Sequence, residues 1–227
     1  MFSYNNPLRR FIRFFYYNFY IKVFHKYEYE VVRAIGNDCK SLLDIGCGAK
    51  TPIKSRTARI SDKIHCVGVD SFKSSIIESK RKHLHNEYVL MDVLKISEKF
   101  KPKSFDCVVA LDLIEHLKKE DGLKLLNVME SIAKKRVIIH TPNGFQPQKE
   151  FDNNSGQVHL SGWTPEEMKK RGYKIIGTSG WKPLRGELAG VKFWPEYFWI
   201  FISDITQFIV RKFPQYAYTM LCTKDKS

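Results

Sequence analysis

A chain of 227 residues, 43% of them hydrophobic, is long enough to bury one full core and too short for two unrelated domains. Its formal charge of +14 asks for an anionic partner, whether nucleic acid, a phospholipid surface or a phosphorylated substrate. The five cysteines, Cys39, Cys47, Cys66, Cys107 and Cys222, are scattered without a C-x-x-C pair. That excludes a disulfide framework and fits a reducing, cytoplasmic setting in which Cys behaves as a small apolar residue.

Residues 1–27 carry Arg9, Arg10, Arg13, Lys22 and Lys26, no acid, and a dense set of aromatic residues. Wound as a helix, this segment places Leu8, Phe11, Ile12, Phe15, Phe19 and Phe24 broadly on one side. Two roles are open to it: an accessory helix that caps a cleft, or a basic aromatic helix lying in a membrane interface. Lys22 interrupts its apolar part and no small-residue cleavage site follows, which argues against a secretory signal. Gly36 and Asn37 are stop signals, so residues 1–37 form an N-terminal unit ahead of a domain spanning 38–227.

In residues 41–50, SLLDIGCGAK, Leu42, Leu43 and Ile45 have the pattern of a strand buried on both faces of a parallel sheet. Gly46 and Gly48 then free the backbone to turn and let a ligand approach closely. A lone G-x-G is as readily a local turn. Its weight rises because residues 65–69 read as a second strand ending in Asp70, where a carboxylate can accept hydrogen bonds from ribose hydroxyls. Residues 88–91 read as a third, followed by Asp92 and Val93. Any turn former can close a strand, so acids at three successive strand ends point into one crevice. Between these strands, Lys54, Arg56 and Arg59 lie on one predicted helix, and Lys80, Arg81, Lys82, His83 and His85 on a second over 71–85. Both sets read as solvated charge.

Residues 105–110 are apolar throughout, as a central strand requires, and Asp112, Glu115 and His116 follow in its exit loop. A helical stripe runs through Leu123, Leu126, Met129, Ile132 and Ala133 within 118–135. Residues 137–140 form the fifth strand, stopped by Pro142 and Gly144. The long polar loop 143–162 sits where a substrate lid belongs. Its His159 has two readings: a neutral imidazole that accepts a proton, or a brace for Trp163. Thr164, Pro165 and Glu167 announce a capped helix, and the sixth strand starts over 173–177. Residues 193–213 are strongly aromatic but interrupted by Pro195, Glu196, Asp204 and Arg211, too broken to span a bilayer. They form an insert before a last strand over 216–223, either packed on the domain or dipping into a membrane surface. No cluster of His, Cys or paired carboxylates stands at metal-ligand spacing, so no metal is expected.

These segments together resemble the class I S-adenosylmethionine-dependent methyltransferases, over about residues 41–182. LLDIGCG is similar to their first motif, VGVD to the second, YVLMDV to the acidic turn facing adenine, FDCVVALDLIEHL to the fourth-strand segment and VIIHTPNG to the fifth. The block HLSGWTPEEMKKRGYKIIG resembles the small-molecule branch, which includes ubiquinone-pathway O-methyltransferases and enzymes of glycan and lipid gene clusters. The resemblance implies a doubly wound, mostly parallel seven-stranded Rossmann-like α/β sheet with an antiparallel last strand, here with the N-terminal helix and aromatic insert added. It implies S-adenosylmethionine as cofactor, with Asp44, Gly46 and Gly48 on the methionine side, Asp70 on the ribose and Asp92 with Val93 on the adenine edge. Cys47, Ser71 and Leu111 complete that set, and His116 becomes a proton-acceptor candidate beside His159, or a residue that orders its loop. One departure is that Ala49 and Lys50 stand where the family usually has a further glycine.

The function that follows is direct methyl transfer to an oxygen or nitrogen of a small or lipid-linked acceptor, with peripheral membrane contact through 8–27 and 193–213. RNA methylation is the alternative that the charge permits, although no Asn/Asp-Pro-Pro-aromatic segment follows the fourth strand. A non-catalytic, membrane-associated nucleotide-binding module is another. A nicotinamide-dependent oxidoreductase would also use Asp70, but the glycine pattern lacks the further G-x-x-G spacing.

Overall fold

The computed structural model describes residues 15, 19–53, 64–148, 155–186 and 189–226. Seven strands, β1 (Ser41–Ile45), β2 (His65–Asp70), β3 (Glu87–Leu90), β4 (Phe105–Leu111), β5 (Ala133–Pro142), β6 (Lys174–Trp181) and β7 (Ala217–Asp225), form one sheet in the order β3-β2-β1-β4-β5-β7-β6. Only the pairings of β7 are antiparallel. Among the described residues the helices longer than a single turn are α1 (Tyr27–Ile35), α2 (Lys73–Arg81), α3 (Lys119–Ile132), α4 (Pro165–Lys170) and α5 (Glu196–Val210). This is the expected doubly wound α/β architecture.

Alternation along the strands builds two cores. Leu43, Ile45, Val67, Val69, Val108 and Ala110 face α3, where Leu125, Leu126 and Met129 cover them. Leu42, Cys66, Cys107 and Val109 face the other way, against Val31 and Ile35 of α1. Side chains reverse face at each residue of a strand, so apolar runs buried on both sides are the signature of interior parallel strands. The registers Ile45↔Val69, Ile45↔Ala110 and Asp70↔Leu90 bring the carboxyl ends of β1 to β4 to one edge.

The helix predicted over 118–135 ends at Ile132, and β5 begins at once. Pairing with β4, Phe105↔Ala133 and Cys107↔Arg136, takes these residues into the sheet, where Arg136 Nε donates to Asp225 at 2.8 Å and Lys135 Nζ lies 3.6 Å from Asp106. These basic residues belong to the sheet and not to the helix stripe. Likewise α2 covers only Lys73–Arg81, and β6 runs beyond Gly177 to Trp181.

The aromatic insert is a helix, with an inverted burial pattern. The inward residues of α5 are Ser203, Asp204, Gln207 and Val210, whereas Phe198, Phe201, Ile205, Phe208 and Ile209 are exposed. The cause is the sheet edge. Among the described residues β6 has no strand on its outer side, and an open edge presents unpaired backbone groups. Gln207 Nε2 donates to Gly177 O at 2.8 Å, its Oε1 accepts from Gly180 N at 2.9 Å, and Thr206 Oγ1 accepts from Trp181 N at 2.9 Å. A polar helix face therefore satisfies the edge strand. Glycine is required beneath it, because a Cβ on Gly177 would lie 2.1 Å from Val210 O.

The N-terminal segment joins the same layer. Asp204, 3% exposed, accepts from Tyr20 Oη and Lys26 Nζ; Arg211 Nε donates to buried Glu30 at 2.9 Å; and the Phe24 ring packs on Phe201 and Phe208. Leu8, Arg9, Arg10, Phe11, Ile12 and Arg13, and the helix expected around Lys54, Arg56 and Arg59, lie outside the described residues. Among the described residues no helix is long and apolar enough to cross a membrane.

Candidate active site

A cleft of about 350 Å³ opens at the carboxyl edge of the sheet, within the size range of small-molecule sites. Asp44 lines it from β1 and Gly46 and Cys47 from the turn that follows, with Lys50, Thr51 and Pro52 beyond them, Leu111 from β4 and Asp112 just past it, and Tyr27 and Glu28 from α1. The turn is held from β2: Gly46 N and Cys47 N both donate to Val69 O, at 2.8 and 3.0 Å. Gly46 has φ +69° and Gly48 φ +54°, a left-handed region open to glycine at little cost. A Cβ on Gly46 would meet Leu113 Cδ1 at 2.7 Å, whereas one on Gly48 would meet nothing closer than 3.9 Å. Backbone conformation alone dictates Gly48, and the space above it is open.

Two buried carboxylates fix this turn. Asp70 accepts from Gly48 N at 2.9 Å and from Phe72 N at 2.8 Å, one with each oxygen. Asp44 Oδ2 accepts from His85 Nε2 at 2.8 Å and Thr51 Oγ1 at 3.3 Å. His85 is thus not part of the solvated cluster expected for 80–85. It is buried beneath Gly68, where a Cβ would come within 3.0 Å of its ring. Burial, with Asp44 beside it, pushes the Cys47 thiol well above its ordinary value, so Cys47 stays protonated.

A second group of polar residues follows β4. Asp112 has φ +52°, unusual for a non-glycine residue, and its Oδ1 lies 2.6 Å from His140 Nδ1. The other His140 nitrogen meets Thr178 Oγ1 at 3.2 Å, and the Tyr27 ring sits 4.0 Å from the imidazole. Glu115 is buried and accepts from Thr141 Oγ1 at 2.9 Å; burial, reinforced by Asp112, pushes its carboxyl well above the usual range. The backbone N–H groups of Leu160 and Ser161 donate to Glu115 O, tying the lid segment to the β4 exit loop. His116 and His159 come together with ring centroids 4.8 Å apart. Burial holds the His116 imidazole below the ordinary histidine range.

A family model described as a methyltransferase domain matches residues 43–139, the stretch that contains the glycine turn, Asp70 and the β4 exit loop. The sheet order is that of the class I methyltransferase fold, and the methyltransferase-domain match lies within it. Among solved structures the chain is similar to a SAM-dependent methyltransferase from Archaeoglobus fulgidus, at 19% identity over 93% of this chain and 100% of that one, with a TM-score of 0.53. It is similar to magnesium protoporphyrin IX methyltransferase from Synechocystis PCC 6803 with bound SAH, at 15% identity over 100% and 90%, TM-score 0.52. A third likeness is to Haemonchus contortus phosphoethanolamine N-methyltransferase 2 in complex with S-adenosyl-L-methionine, at 18% identity over 88% of this chain and 52% of that one, TM-score 0.55. At these identities the likeness is one of fold. No curated protein matches the chain.

The methyltransferase fold distributes the expected cofactor residues unequally. Asp44, Gly46, Cys47 and Leu111 line the cleft; Gly48 completes the turn and Asp70 stands behind it. Ser71 is exposed just past β2. Asp92 is also exposed, its Oδ1 accepting from Leu94 N at 2.9 Å, while Val93 is buried in the core against α3. Trp163 is held by Ser161 Oγ and Ile114 O rather than by His159. Of the lid, residues 149–154 lie outside those described. Sequence reasoning passed over the Asp112–His140 pair and Tyr27. A histidine at the end of an apolar strand reads as core, and only the parallel pairing of β4 with β5, which sets Leu111 against His140, brings it to the acid.

Proposed function

We propose that this methyltransferase transfers a methyl group to an oxygen or nitrogen of a small or lipid-linked acceptor at an anionic membrane surface, as a peripheral protein of the cytoplasm. The observation that carries the membrane half of this reading is the outward face of α5 and the residue leading into it. Trp194, just before the helix, is 88% and Tyr197 86% exposed, and Phe198, Phe201, Ile205 and Ile209 continue the apolar surface. Lys192 and Lys212 flank this stretch along the chain, whose net charge is +14. Aromatic side chains bordered by cations suit the headgroup region of an anionic bilayer.

When bound, S-adenosylmethionine supplies a sulfonium methyl open to direct in-line displacement. Asp44 and the glycine turn hold the methionine end, and Lys50, which lines the cleft in place of the family's further glycine, pairs with the carboxylate. Asp70 and Ser71 take the ribose, Asp92 and Val93 the adenine edge, and Leu111 the floor beneath. Tyr27 closes the cleft from α1, so this helix acts as a roof on the catalytic domain of 38–227. His116 and His159 are the candidate proton acceptors: each has Nδ1 against a backbone carbonyl, Val158 O and Gln146 O respectively. A carbonyl only accepts, which assigns the proton to Nδ1 and leaves a lone pair on Nε2.

Two measurements test this reading. With labelled methyl donor and cell extract, label is expected in the lipid or small-metabolite fraction; label confined to RNA would overturn it in favour of the nucleic-acid alternative. In flotation with phosphatidylglycerol-containing vesicles at low salt, the full-length protein is expected to rise with the lipid. A Trp194→Ser, Tyr197→Ser, Phe198→Ser variant should remain below while keeping its cofactor affinity. Equal flotation of both proteins would remove α5 from the membrane reading.

A further inference from the structure

We propose that Glu115, His116 and His159 form a binding site for one divalent first-row transition-metal cation, Zn²⁺ being the best match. One ligand atom from each residue lies within 4.8 Å of the others. Ligand atoms about 2.0–2.2 Å from a tetrahedral ion stand somewhat closer together than that, so small side-chain rotations complete the site. Two separate chain segments supply it. Glu115 and His116 sit on the single turn Ile114–His116 after β4, and His159 comes from the lid. The hydrogen bonds from Leu160 N at 2.7 Å and Ser161 N at 3.0 Å to Glu115 O hold the two segments in register.

Three independent features prepare these atoms for a cation. Both imidazoles have Nδ1 against a backbone carbonyl, His116 with Val158 O at 3.2 Å and His159 with Gln146 O at 2.5 Å, and this outer hydrogen bond is the one that orients metal-bound histidines and fixes the free lone pair on Nε2. Glu115 is 2% exposed, and among the described residues its carboxylate meets Thr141 and no Lys or Arg. A buried carboxylate without a positive partner is costly unless it takes up a proton or a metal ion. Finally, two imidazole nitrogens and one carboxylate oxygen are donors suited to Zn²⁺ and its neighbours rather than to Mg²⁺ or Ca²⁺, which prefer oxygen ligands. Three protein ligands leave a coordination position for water or an acceptor atom. The expectation of no metal failed to reach this site because ligand spacing was sought along the chain, whereas the lid delivers His159 through the fold.

Metal ligation and proton acceptance compete for the same Nε2 atoms, so the site revises the role of both histidines without touching the residues assigned to the cofactor. The test uses the full-length protein, stripped with chelator and dialysed against Zn²⁺ or Co²⁺. One equivalent per chain is expected, with the intense visible absorption of four-coordinate Co²⁺. Glu115→Gln and His159→Ala should each weaken binding by roughly tenfold or more, while binding of S-adenosylhomocysteine continues. Sub-stoichiometric uptake by the wild-type protein, a six-coordinate Co²⁺ spectrum, or metal binding indifferent to both substitutions would each overturn the proposal. The wild-type stoichiometry and spectrum do not depend on either variant folding. Loss of methyl transfer with metal binding intact would count against the proposed function and leave the metal site standing.

Discussion

Asp70→Ala is expected to weaken S-adenosylmethionine binding by about 1–3 kcal/mol, roughly 5- to 150-fold. The side chain does two things at once. Its oxygens accept from Gly48 N and Phe72 N, so it clamps the glycine turn to the end of β2, and each oxygen retains a lone pair for a ribose hydroxyl. Alanine removes the clamp and the acceptor together. Asp70→Asn keeps one acceptor oxygen but turns an N–H₂ group toward one of two backbone donors, so an intermediate loss is expected. Calorimetric titration with S-adenosylhomocysteine reads both values. An affinity unchanged in the alanine variant would contradict the role of Asp70.

The second large effect is structural. Gly177→Val is expected to destabilise the protein by about 3–5 kcal/mol, in the range that only named core defects reach. An added Cβ would stand 2.1 Å from Val210 O and 2.6 Å from Ala217 Cβ, and neither backbone can yield without lifting α5 from β6. Lifting it breaks both Gln207 bonds to the edge strand, and each buried polar group left unpaired costs about 1–3 kcal/mol. Because Asp204 of α5 also holds Tyr20 and Lys26, the N-terminal segment should loosen in step, seen as faster amide exchange over 19–35. Denaturant unfolding within about 1 kcal/mol of wild type would show that the contact is not what seats the helix.

These two positions mark what was legible in the chain and what was not. The glycine turn, Asp70 and the succession of strands follow from short-range pattern (apolar runs, acids at their ends, and glycines where φ must be positive), while the sheet's architecture came from the family resemblance. The capped start of α4 was equally local, and Thr164 Oγ1 accepts from Glu167 N as its Glu167 Oε2 accepts from Thr164 N. The orientation of α5 was hidden because it obeys a partner. The aromatic pattern left open whether the segment packs on the domain or meets a membrane, whereas the edge of β6 offered hydrogen-bond groups, and Thr206 and Gln207 answered them. His85 was misplaced for a similar reason: within a run of Lys and Arg it reads as surface charge, and only Gly68 opens the space that lets it reach Asp44. Asp112 with His140, and Glu115 with His116 and His159, are pairings across the sheet and the lid, which no spacing rule along the chain exposes.

The central claim is that the turn after β1, clamped by Asp70, holds a sulfonium nucleoside. Calorimetry of the full-length protein with S-adenosylmethionine and, separately, with NAD tests it most directly. Saturable binding of S-adenosylmethionine at one site per chain, with no heat from NAD, is the predicted result; silence toward S-adenosylmethionine, or equal binding of NAD, would contradict it.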